Sequence, residues 1–105
     1  MVEIEKNSRE EMIEAVRCWT GWRDSAMPSR NDERLLKRFG HLTGIVLLAK
    51  IKDMEDEFYL SDAHLVAADI QDMAKRCEDD FRRKRPEIAA EIVSAFGWCY
   101  TFDYK

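Results

Sequence analysis

The chain has 105 residues and a mass of 12.4 kDa, enough for one hydrophobic core and too little for two. Being 46% apolar and 36% charged, with only six Gly or Pro, it is neither a disordered chain nor a loop-rich scaffold. A net charge of −4 and a pI near 5.2 count against a protein whose main task is to coat nucleic acid.

Four helical stretches follow in chain order. Ser8-x-x-Glu11 has the form of a capping box, and Met12, Val16 and Trp19 trace the stripe of a half-buried helix. Gly21 and the Ser25–Ser29 segment end it, because Pro28 biases Met27 away from helical angles. A second helix opens at Asn31-Asp32-Glu33. Leu35, Phe39, Leu42 and Val46 form one stripe, and Leu47, Ile51, Met54 and Phe58 form another, offset on the same cylinder. Gly40 and Gly44 share a face and predict close approach of another helix. A competing reading breaks the helix at Gly40 and makes Ile45 to Leu48 a buried strand.

The third stretch starts at a Ser61 or Asp62 cap and carries Val66, Ile70, Met73, Cys77 and Phe81 at helical spacing. Arg82, Arg83, Lys84 and Arg85 close it over the negative end of the helix dipole. Pro86 opens the fourth at its first position, and Gly97 caps it. Beyond Gly97, Trp98, Tyr100, Phe102 and Tyr104 alternate with other residues at a period of two, as Val2 and Ile4 do near the start. Either the termini pair as a small extended ribbon or the fourth helix continues. The expected fold is therefore mainly α: a compact four-helix array near residues 9–24, 31–57, 62–84 and 86–97, in which residues 1–105 form a single helical domain.

Cys18, Cys77 and Cys99, odd in number and without a C-x-x-C pair, fit neither a disulfide framework nor a zinc ribbon. The first ten residues hold three acids and no apolar core, unlike a signal peptide. The longest apolar run, Leu42 to Ala49, is about half the length that crosses a bilayer. These features point to a cytoplasmic protein with reduced thiols and no membrane partner.

His41 and His64 are the only histidines, and neither has a metal-binding residue at i+4, so no metal site is expected. Glu11-x-x-Glu14 and Asp69-x-x-Asp72 each set two acids on one helix face. This resembles the magnesium-holding arrangement of helical nucleotide pyrophosphatases, but 54 residues lie between Glu14 and Asp69 and a solvated acidic face explains them as well. Nothing has the form of GxSxG, a P-loop or GxGxxG, and no cysteine stands in an activating setting. No catalytic residue and no cofactor is expected.

Two surfaces remain as candidates. Four of the eleven aromatic residues fall in the last eight positions, and Trp22 lies three after Trp19. Trp and Tyr are the usual anchors of protein interfaces. Trp22, Tyr100, Tyr104 and Trp98 are accordingly expected to bind a partner protein, with acids such as Glu14, Asp24 and Asp103 steering a basic one. The leading reading is a non-enzymatic protein-binding module, an inhibitor, immunity-type or adaptor protein, with a homodimer through the same patch as its rival. The second surface is Lys75, Arg76, Arg82, Arg83, Lys84 and Arg85, six bases in eleven residues, which would grip a polyanion in a nucleic-acid-associated regulator.

Overall fold

The computed structural model describes residues 2–105, with side chains for residues 9–105, and every regular element among them is helical. The elements are α1 (Val2–Thr20), α2 (Asp32–Phe39), α3 (His41–Phe58), α4 (Ala63–Val66), α5 (Ile70–Lys84) and α6 (Ala90–Tyr104). The mainly α class holds. The details differ from the sequence pattern at four places, each for a local reason.

At the first, α1 begins at Val2 and stops at Thr20, earlier at both ends than the expected 9–24. The cap placed at Ser8 lies outside the described side chains. Gly21 ends the helix at φ +82°, its N–H donating to Arg17 O at 2.8 Å. The second is Gly40, where φ 84° and ψ 162° split the expected long helix into α2 and α3. Both sides of the break are helical, so Ile45 to Leu48 is not a strand. The break resets the helical phase. Leu47, Ile51, Met54 and Phe58 become the core stripe, while Leu42 and Val46 turn outward. Gly44 makes the expected close approach, since a Cβ there would lie 2.6 Å from Leu36 Cδ2; Gly40 meets nothing within 4 Å.

Gly40 occupies a region of backbone space that is essentially reserved for glycine. Gly40→Ala is thus expected to cost about 1–3 kcal/mol, all of it backbone strain, because the added methyl has open space. Urea unfolding of the variant measures it.

The third difference is at Ala67–Asp69. Asp69 Oδ1 accepts from the Asp72 N–H at 2.8 Å, and Asp72 Oδ2 accepts from the Ala68 N–H at 3.0 Å. These reciprocal bonds begin a new helix at Ile70 and leave α4 a single turn. The Asp69-x-x-Asp72 pair is a helix cap. Ser61 does serve the shorter α4, its Oγ accepting from the Ala63 N–H at 3.2 Å and donating to Asp80 at 2.6 Å.

The fourth is the C-terminal stretch. Residues around Pro86 form a turn and α6 starts at Ala90. Gly97 lies inside α6, which runs on through the aromatic tail to Tyr104, so the termini form no ribbon. Being apolar all round, the helix reads as alternating when only its large rings are counted. Gly97 instead lets α5 approach: a Cβ there would lie 2.9 Å from Glu78 Cγ and Cδ.

One cluster joins all six helices. Trp19, Leu35, Ile51, Phe58, Ala63, Phe81, Phe96 and Tyr100 are among its buried members. The Trp19 indole N–H donates to Asp32 Oδ1 at 2.8 Å, fastening α1 to the start of α2. Among the described residues no helix is long and apolar enough to cross a membrane.

Glu78 supplies a pH test of the α5–α6 contact. Burial pushes its carboxyl above the usual range near 4.5, against the pull of Arg82. The folded state then holds a proton that the unfolded state has released, so this group lowers stability as pH rises from about 4.5 through the raised value. Glu78→Gln is expected to flatten that decline and to be at least as stable as wild type at neutral pH. Thermal melts across pH would decide it, a less stable variant at neutral pH being the contrary result.

Candidate partner-binding face

The aromatic tail separates into an inner and an outer half because α6 turns 100° per residue. Tyr100 is wholly buried. Its hydroxyl donates to Ser61 O at 2.8 Å, accepts from the His64 N–H at 3.1 Å and lies 2.6 Å from His64 Nδ1. It therefore offers no surface to a partner, contrary to expectation, and belongs to the core. Tyr104 is 41% exposed and stacks on the His64 ring at 3.9 Å and 13°.

Trp98 is half-buried and points to the other side of α6. With Phe102 of the same helix, Lys105 just past its end, Ile70 at the start of α5, and Ala26 and Met27 of the α1–α2 loop, it lines a groove of about 350 Å³. Ile70 and Met27 are 51% and 62% exposed. Three elements distant in sequence thus present apolar side chains at one open site, with Thr101 at its floor.

The loop that carries Met27 is pinned at both ends. Ser29 N donates to Thr20 O at 2.9 Å and Asn31 N to Trp19 O at 3.0 Å. The Arg34 guanidinium donates to Trp19 O at 3.0 Å, to Ser29 Oγ at 2.9 Å and to Cys18 O. Between these anchors, residues 23–27 are exposed, and Arg23 has φ +71°, a left-handed conformation uncommon outside glycine. Its guanidinium sits 4.2 Å from the centre of the Trp22 ring. Trp22 is half-buried, packed partly on the core. An exposed apex on fixed ends loses little freedom on binding.

The acids expected to steer a basic partner are already paired. Asp24 accepts from Arg17 at 3.0 Å. Asp103 accepts from Arg30 at 2.9 Å and from the Tyr59 hydroxyl at 2.6 Å, while Arg30 also reaches Glu55 at 2.8 Å. Burial resists the Arg30 charge, but the bonds to Asp103 and Glu55 outweigh it and raise the pKa. Burial, then Asp103, pushes the Tyr59 phenol up. Arg30, Glu55, Tyr59 and Asp103 form a tie between α3 and α6. Asp24 and Asp103, the acids expected to face a basic partner, thus each hold an arginine of this chain.

The basic cluster is balanced in the same way. Arg76 pairs with Asp72 at 2.8 Å, Arg82 with Glu78 at 3.3 Å and Arg83 with Asp80. Arg85 pairs with Glu57 at 2.8 Å and Glu87 at 2.7 Å. Only Lys75 and Lys84 of the six carry no ion pair among the described residues, and that leaves little net potential for a phosphate backbone. Burial pushes Cys77 and Cys99 up to about 12, and Cys18 upward as well, so none is an activated thiolate. Among the described residues no three His, Cys, Asp or Glu side chains converge to hold a metal ion.

Trp98 is thus the member of the expected set that the fold places in an open apolar site. Met27, Ile70 and Phe102 join it without having been picked out. Met27 carries a weak signal, as a large apolar residue in a turn, whereas helical spacing puts Ile70 on a stripe expected to be buried. No family model matches the chain, and neither a curated protein nor a solved structure does.

Proposed function

We propose that the protein is a non-enzymatic protein-binding module of the inhibitor, immunity or adaptor kind, acting by occupying a partner's surface. The observation that carries this is the groove of Trp98, Phe102, Ile70 and Met27 beside a pinned, protruding loop. Exposed, clustered apolar side chains on a small acidic domain are costly unless something covers them. Tryptophan and methionine are enriched at the centres of interfaces, where burying them yields most of the binding energy. The fitting partner is an apolar protrusion, a helix edge or loop tip, rather than a charged surface. Tyr104 and Trp22 do not line the groove.

Affinity capture from native extract with immobilised wild-type protein, beside Met27→Asp, tests the reading. A protein retained by wild type and lost by the variant, at unchanged circular dichroism, supports it. Equal retention by both would remove the groove from the binding site.

A further inference from the structure

A second surface, distinct from the groove, faces outward on α3. Leu42 is 83% exposed, Val46 55% and Ile45 47%, and Ala49 is exposed beside them. At about 100° per residue these four lie on one side of the helix, opposite the buried Gly44, Leu47 and Ile51. Asp53 and Asp56 continue the same stripe, both exposed and without an ion pair among the described residues. The face is therefore apolar in its N-terminal half and acidic in its C-terminal half.

The complementary charge stands at the other end. Lys37 and Arg38 close α2 just before the corner, exposed and likewise without an ion pair among the described residues. The α3 N-terminus has neither an acid in its first turn nor a side-chain cap, leaving the positive end of its dipole uncompensated. Bases and a positive helix end at one side, two acids at the other and four apolar residues between make a self-complementary surface.

We propose that α3 forms the interface of a symmetric antiparallel homodimer. With the two-fold axis between Ile45 and Val46, Leu42 of one copy faces Ala49 of the other and Ile45 faces Val46. Asp53 of each copy then stands about one turn past the N-terminal end of the other copy's α3, and Asp56 about two turns past it, on the side of the α2–α3 corner. An anionic bilayer is the poorer occupant, because the same two aspartates would be repelled from it. One helix pair buries a small area, so the dissociation constant is expected on the order of micromolar.

Sedimentation velocity of the full chain from about 1 to 300 μM brackets that value. Wild type should pass from monomer to dimer across the series, the more weakly the higher the salt. Val46→Asp should remain monomeric throughout, and its exposed position leaves the fold intact. Asp53→Lys/Asp56→Lys, which keeps the apolar half, should weaken dimerisation about tenfold or more. A wild type that is monomeric at every concentration would overturn the proposal. So would a dimer insensitive to Val46→Asp, or one disrupted instead by Met27→Asp. Flotation with phosphatidylserine-containing vesicles covers the remaining outcome: binding by wild type that Val46→Asp abolishes would assign the face to a membrane and not to a second copy.

Discussion

Replacing Phe58 by alanine is expected to cost about 3–5 kcal/mol, the usual range for deleting a fully buried aromatic ring. Phe58 is 1% exposed and stands where α3, α5 and α6 meet. Its ring centre lies 5.1 Å from Phe81, 5.8 Å from Phe96 and 5.9 Å from Tyr100, distances at which aromatic pairs attract beyond their area burial. Losing it opens a cavity among three other rings that cannot all collapse inward. Against a total stability of about 5–15 kcal/mol for a domain of this kind, the loss is a large fraction. Chemical denaturation followed by circular dichroism would show it as a lowered midpoint.

Tyr100→Ala should fall in the same range, about 3–5 kcal/mol, while Tyr104→Ala changes stability by less than about 1 kcal/mol. The two residues are neighbours on one helix and alike in sequence context. Tyr100 is wholly buried and holds Ser61 and His64 through its hydroxyl, whereas Tyr104 is 41% exposed. Removing Tyr100 therefore adds unpaired backbone groups to the cavity it leaves. Equal effects of the two substitutions would contradict the assignment of one to the core and the other to the surface.

The contrast between these tyrosines also marks where the sequence is legible. Met73, Cys77 and Phe81 repeat at helical spacing and are buried as that spacing requires. The same holds for Leu47, Ile51, Met54 and Phe58. Periodicity names a core stripe wherever a helix has one apolar face and one polar face. It fails on α6, where residues 95–101 are apolar or small on every side and no 3.6-residue period stands out. It fails again at breaks. Gly40 and the Asp69–Asp72 cap each interrupt a stripe that continues in the sequence, and the residues beyond the break point elsewhere. Leu42, Val46, Val66 and Ile70 belong to those interrupted stripes, and all four are more than half exposed. The pairing of the charged residues is hidden for a different reason. Runs of like charge are visible in a sequence, but the partners that neutralise Asp24, Asp103 and Arg85 become visible only once the chain is folded.

The groove needed the fold for the same reason, since Met27, Ile70 and Trp98 are separated by 42 and 27 intervening residues. Trp98 is legible as a candidate anchor because tryptophan is enriched among interface anchors; its neighbours in the groove are not. Calorimetric titration of the captured partner against wild type and Trp98→Ala puts this site to the most direct test. The expected result is a loss of about 2 kcal/mol or more in binding free energy, some thirtyfold in affinity, with an unchanged circular dichroism spectrum. Undiminished affinity of a folded Trp98→Ala protein would contradict the assignment of the groove as the binding site.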